Sequence, residues 1–460
     1  MKEDCGFSGS SDVFAWISRF INMGRGQSYK SFRLDRMGVL CRLAGNPERS
    51  APVIHVAGSK GKGSVTGMIG AILEAAGYRA ARYTSPDVME KRERITRGSR
   101  FFDESIYVEA GGELAEAVGR LRDLTGPERR LFDPSREEGE EVTFFELMTL
   151  YFFLCARTAR CDVMVVETGM GGRLDATNIV NPLAAVITLI ELEHTEYLGK
   201  TLAAVAGEKA GIIKSGVPLI LAAQEDEALG VFRETAGAKN APLLYFPETA
   251  ELRDIRVSRE GTRFKLRFPE DAPPGGGKEL SLALKIPGEV QAMNAGLAVL
   301  AIRQTYPAIG GEEMFEGLKD FSLPARFELI NAEPVLVIDG AHTPKSMEQC
   351  RKTFLSLYGE GGTLIFGCAE GKDAAAMADI LSPHFSRIII TTPGTFKKSN
   401  PAELHRVFSG RVGNTTELLL ITDTAAAVNR ALEDKRKPIL GTGSFYLAAE
   451  IRKYVLNRIV

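Results

Sequence analysis

The sequence predicts an α/β fold with two mainly parallel sheets, each covered by helices, and a small β-hairpin region between them. Three observations carry this expectation. Short apolar runs rich in β-branched residues alternate with amphipathic stretches along the 460 residues. A glycine-rich turn bearing lysines lies between the first such run and a helical pattern. Between residues 252 and 286 the texture changes to brief alternating runs around Pro273, Pro274 and three glycines, and the strand and helix rhythm then restarts.

The first strand is expected over residues 53–57. Val65, Met68, Ile69, Ile72 and Leu73 then recur at helical spacing until Gly77. Between strand and helix lie Gly58, Ser59, Lys60, Gly61, Lys62, Gly63 and Ser64. This is a P-loop NTPase-like order: amides of Gly58 to Gly63 and the positive helix end suit phosphate oxygens, Lys62 reaches the terminal phosphates, and Ser64 is available to Mg²⁺. The pattern is irregular, because Val56 stands where a first glycine is usual and Gly63 separates Lys62 from the hydroxyl. The bland alternative is a tight turn with an exposed lysine. Further buried strands are expected at 163–167, 184–190 and 217–222, followed by the hairpin region and a helix around 294–304. Runs at 335–339, 363–367, 387–392, 418–422 and 438–441 then predict a smaller, Rossmann-like C-terminal α/β domain. Pro324 interrupts the helical pattern within 320–326, which divides the chain into 1–320 and 321–460.

Composition narrows the function classes. A hydrophobic content of 44% is ample for packed cores. With 57 basic and 59 acidic residues the formal charge is -2, which provides no global footprint for nucleic acid or an anionic membrane. Cys5, Cys41, Cys155, Cys161, Cys350 and Cys368 form no CxxC pair, so free thiols in a reducing compartment are expected and structural zinc is not. Residues 1–13 lack the apolar core of a signal peptide, and the most membrane-like run, 147–156, is too short to span. A cytoplasmic protein is expected.

A second chemical cluster runs VVETGMGGRLDATN from Val165 to Asn178. Glu167 closes a buried strand just before glycines, where carboxylates commonly face the ligand crevice and can hold a hard cation. Capping of nearby amides is the alternative. His194 follows another strand, which raises its weight above that of a lone packed histidine. Lys209 lies in a helical stretch, where the default is a solvated charge.

The order of these segments resembles the Mur ligase superfamily, most closely its folylpolyglutamate synthase and dihydrofolate synthase branch. The likeness covers nearly the whole chain: HVAGSKGKGSV, TSPDVMEKRERI, ETGMGGRLDATN, EHTEYLG, GEKAGIIKSGVP, PGEVQAMNAGLAV, LPARFE, VIDGAHTPKS and GTGSFYLAAEI occur in the family's order. The resemblance implies that Gly58, Gly61, Lys62, Gly63 and Ser64 bind ATP phosphates, and that Asn294, Arg326 and Asp339 also contact ATP. It implies Mg²⁺, with two ions, on Ser85, Glu167, His194 and Lys209. Lys209 aligns with a carbamylated lysine, a modification that turns a cation into an anionic oxygen ligand. His342 and Ser444 match positions for the incoming L-glutamate and count with Lys62 and Lys209 as catalytic candidates. Thr143, Phe144, Phe145, Glu146, Leu174, Asp175 and Ala176 match segments that contact the pterin in members able to use dihydropteroate, although paired phenylalanines before an apolar run are as often core.

The implied reaction activates a carboxylate of dihydropteroate or reduced folate as an acyl phosphate, which the amine of glutamate attacks. A bifunctional enzyme is favoured, monomer is the family default, and neither nucleic acid nor membrane is a partner. Three departures bear on the pocket: Asp87 replaces a usual histidine, Glu193 a usual aspartate and Thr343 a usual asparagine. The alternatives are a Mur-type ligase for another carboxylate and amino acid, and a nucleotide-binding protein without ligase activity. Retention of Lys62, Glu167, His194, Lys209 and Asp339 argues against the second.

Overall fold

The computed structural model describes residues 6–24, 33–133, 141–271, 277–394 and 398–459. Cys5, Pro273 and Pro274 lie outside the described residues. The first sheet contains β1 (Val53–Ala57), β2 (Ala80–Tyr83), β3 (Ile95–Arg97), β4 (Val163–Glu167), β5 (Ala184–Ile187), β6 (Leu219–Leu221) and β7 (Leu243–Tyr245). Its order is β3-β2-β4-β1-β5-β6-β7, parallel except for the edge pair of β2 and β3. Every residue of β1, β4 and β5 is buried, because helices cover both faces; continuous apolar runs are the sequence image of that arrangement.

The expected hairpin is a three-stranded antiparallel sheet, ordered β10-β9-β8, from β8 (Glu251–Ser258), β9 (Gly261–Arg267) and β10 (Glu279–Leu284). The charged strand β8, whose residues are all exposed or half-buried, hides a third strand from an apolar pattern. The last sheet contains β11 (Glu328–Ala332), β12 (Val335–Ile338), β13 (Gly362–Phe366), β14 (Phe385–Ile390), β15 (Glu417–Leu420) and β16 (Ile439–Thr442), in the order β11-β12-β16-β13-β14-β15. It is parallel apart from β11, an edge strand the apolar pattern did not mark.

The helix Lys62–Ala75 follows β1 directly and packs against the helices Glu289–Thr305 and Gly311–Lys319. The apolar run 147–156 lies within the buried helix Phe144–Thr158, and no helix of the described residues is long and apolar enough to cross a membrane. The five described cysteines are free and buried. β5 ends earlier than expected: beyond Ile187 the chain leaves the ladder, and the Leu189 carbonyl accepts from the N–H groups of Ser59 and Lys60.

Candidate active site

β4, β1 and β5 stand side by side and parallel, so their carboxyl ends lie together on one edge of the sheet, where ligand crevices form in such folds. The glycine loop crosses that edge. Gly58 and Gly61 have φ of 145° and 89°, values that L side chains rarely adopt. A Cβ on Gly58 would lie 1.8 Å from Thr188 Oγ1, and one on Gly61 2.5 Å from Asn294 Oδ1, so the Asn294 side chain lies against the loop. Gly58→Ala is therefore expected to cost about 1–3 kcal/mol from backbone strain and overpacking. A thermal melt and nucleotide titration check this; an unchanged melting temperature and affinity would show that the loop tolerates the methyl group.

Two lysines converge on one carbonyl. Lys62 Nζ donates to Gly58 O at 2.9 Å and Lys209 Nζ to the same oxygen at 2.7 Å. Lys209 is 1% exposed and pairs with Glu193 Oε1 at 3.0 Å, so it is no solvated helix charge. Burial lowers its ammonium to about 8 against the pull of Glu193. At Glu193 burial acts the other way, but Lys62 and Lys209 outweigh it and bring the carboxyl down to about 2.

Glu167 ends β4 and is buried, and its Oε2 accepts from Ser85 N at 3.2 Å. Burial pushes this carboxyl up to about 7, with Lys62 and the Ser85 amide opposing. A desolvated carboxylate beside a phosphate loop fits a hard cation that takes its other oxygens from hydroxyls, water and phosphate. Among the described residues no three His, Cys, Asp or Glu side chains group as a metal cage. His194 is exposed at φ 48°, heading the short helix Thr195–Leu198, rather than at the end of β5 as its sequence context suggested. No hydrogen bond among the described residues joins His194 or Lys209 to Glu167.

The second wall comes from the ends of β12 and β16, neighbours in the last sheet. Asp339 accepts from Phe327 N and Ala341 N, each at 2.8 Å. These bonds brace a link in which Ala325 and Phe327 have φ of 57° and 44°, and Arg326 is presented between them. The Arg326 guanidinium lies 4.1 Å over the Phe445 ring. Burial lowers the pKa of Arg326, while Asp339 and Glu167 favour its charge, so the cation faces carboxylates on both walls. His342 Nδ1 bonds Gly340 O at 2.8 Å, and Ser444 Oγ accepts from Leu447 N at 3.0 Å at the start of the helix Phe445–Ile459.

The substrate-side candidates divide. Thr143 and Glu146 form a capping box on the helix Phe144–Thr158, and the Glu146 carboxylate also pairs with buried Arg36 at 2.9 Å. Phe144 is half-buried against the core, with Arg94 5.6 Å above its ring, whereas Phe145 is 46% exposed. Asp175 accepts from Gly169 N and Met170 N at 2.9 Å and from Thr177 N at 3.0 Å, so its carboxylate folds the glycine segment after Glu167. Phe145 lies beside that segment: a Cβ on Gly169 would be 3.9 Å from its ring. Leu174 packs on the cluster under β5 and Ala176 on the one under β4, so both support the loop from below. Sequence reasoning gave no role to Lys60 or to the ion pair of Asp87 with Arg94. The paired lysines of SKGK and the unusual Asp87 were the available signals.

Residues 116–302 match the Mur ligase middle domain and residues 325–445 the Mur ligase glutamate ligase domain. The chain is 30% identical to a folylpolyglutamate synthase of Lacticaseibacillus casei, over 97% of this chain and 99% of the relative. It is 29% identical to a dihydrofolate synthase/folylpolyglutamate synthase of Bacillus subtilis, again over 97% and 99%. A solved FPGS-AMPPCP-folate complex superimposes with a TM-score of 0.80 at 28% identity, covering 97% of this chain and 99% of that one. The chain belongs to the folylpolyglutamate synthase and dihydrofolate synthase branch of the Mur ligase superfamily.

Proposed function

We propose that this ATP-dependent ligase adds L-glutamate to dihydropteroate and to reduced folylpolyglutamate through an acyl phosphate. The observation that carries the reading is the seam itself: Lys60 Nζ of the glycine loop touches His342 Nε2 at 3.3 Å, and Arg326, beside Asp339, lies close enough to Glu167 for their charges to interact. The amides of Gly58, Gly61 and Gly63, with Lys62 and Ser64, hold the phosphates; Asn294, Arg326 and Asp339 complete the nucleotide site from the other side. His342 and Ser444 orient glutamate, so that its amine meets an activated carboxylate where closure of the two walls excludes water. Ser85, Glu167, His194 and a carbamylated Lys209 would hold Mg²⁺, as two ions, which would supply charge neutralisation at the phosphates.

Use of dihydropteroate as well as folate is supported by exposed Phe145, which offers a flat face next to the segment organised by Asp175. Thr143 and Glu146 fix the helix start that carries Phe145, Leu174 and Ala176 anchor the neighbouring glycine segment, and Phe144 packs behind it. In this reading the protein works as a cytoplasmic monomer. Purified protein with ATP, Mg²⁺, L-glutamate and either dihydropteroate or a reduced folate is expected to yield products one glutamyl unit heavier, resolved by mass. Absence of both products removes the proposal, and a product from one acceptor alone restricts it to that acceptor.

A further inference from the structure

The two lysines of the phosphate loop diverge. Lys62 turns back onto Gly58 O, whereas Lys60 crosses the seam to His342. The backbone beneath Lys60 is fixed, because Ser59 N and Lys60 N donate to Leu189 O at 2.9 and 3.2 Å and Ser59 Oγ donates to Glu191 O at 2.9 Å. His342 is fixed as well: Nδ1 bonds the Gly340 carbonyl at 2.8 Å, and its backbone N donates to Ser346 Oγ at 3.3 Å. A carbonyl requires Nδ1 to carry the proton, which leaves a lone pair on Nε2 for the Lys60 ammonium to meet. Burial and Lys60 hold this imidazole neutral, with its pKa lowered to about 3.

The seam therefore holds a cation on a neutral ring. Burial is the largest influence on Lys60 and lowers its ammonium to about 8; Glu193 and Glu191 favour its charge, whereas Lys62 and Lys372 oppose it. Lys60 Nζ is directed to His342 and Lys62 Nζ to Gly58 O, so the two ammonium groups serve different sides of the loop. Phosphate oxygens already have the loop amides and Lys62, so the anion left for Lys60 is a carboxylate of the amino acid.

We propose that Lys60 is a specificity-determining residue for the incoming amino acid, binding one of its carboxylates beside His342, and is not a second phosphate ligand. This rests on the glutamate-ligase reading above. The test uses the full chain loaded with AMPPCP, and compares wild type, Lys60→Met and Lys60→Arg by titration with L-glutamate and, separately, with AMPPCP. Lys60→Met is expected to weaken glutamate binding about tenfold while AMPPCP affinity stays within about twofold, and Lys60→Arg to recover most of the loss. In turnover the glutamate KM rises more than kcat falls. Equal losses for both ligands make Lys60 a phosphate residue and overturn the proposal, as do unchanged glutamate affinity or a wild type that takes up no glutamate. A wild type that ligates nothing, yet loses glutamate affinity with Lys60, removes the ligase reading and leaves this assignment standing.

Discussion

Lys209→Ala is expected to lower turnover by about 10²–10³-fold, the usual loss when a preorganised electrostatic group is removed from a reacting centre. Lys209 reaches the loop carbonyl that Lys62 also reaches, from the helix Leu202–Ala210. Its burial has a chemical consequence. Carbamylation joins the amine nitrogen to CO₂ and releases a proton, so it requires the free amine. Desolvation brings the ammonium down to about 8, against the opposition of Glu193, which makes that amine more available near neutral pH than on a solvated lysine. ¹³C-bicarbonate labelling is expected to give a carbamate signal in wild type that Lys209→Ala lacks. Full turnover in a folded Lys209→Ala protein would remove Lys209 from the machinery, and an unlabelled wild type would remove the carbamate.

Arg36→Met is expected to destabilise the protein by about 3–5 kcal/mol, because it strands a buried carboxylate without its cation. Arg36 is 1% exposed, and its guanidinium donates to both Glu146 oxygens, at 2.9 and 3.1 Å, and to Leu131 O at 3.2 Å. Glu146 in turn accepts from Thr143 N at 2.8 Å and Thr143 Oγ1 at 2.9 Å, so losing the pair loosens the helix start that presents Phe144 and Phe145. Urea unfolding provides the measurement. The double variant Arg36→Met/Glu146→Gln is expected to regain most of the loss, since a neutral amide tolerates burial far better than a bare carboxylate. A single variant that loses no more than about 1 kcal/mol would mean that the pair behaves like a solvated surface bridge.

The phosphate loop, Glu167 and the restarted strand rhythm were legible in the sequence because their signals are local. Glycine spacing sets backbone conformation within a few residues, and strands buried on both faces must be apolar throughout. β3 and β11 were not legible: each is a short edge strand, and neither is apolar along its length. The same holds for β8, which widened the expected hairpin into a sheet.

Sequence by itself determined the α/β class, the glycine loop between the first strand and helix, and the family, and it named residues on both walls of the seam. Tertiary structure alone decided which of them meet. Glu193 finds Lys209 through the turn after β5, Glu146 finds Arg36 across 110 positions, and Lys60 finds His342 across 282. These contacts depend on how sheets and helices stack. Their strength comes from burial, which no short motif records; the same residue type is a solvated charge on one helix face and, as at Lys209, a buried amine with a lowered pKa on another.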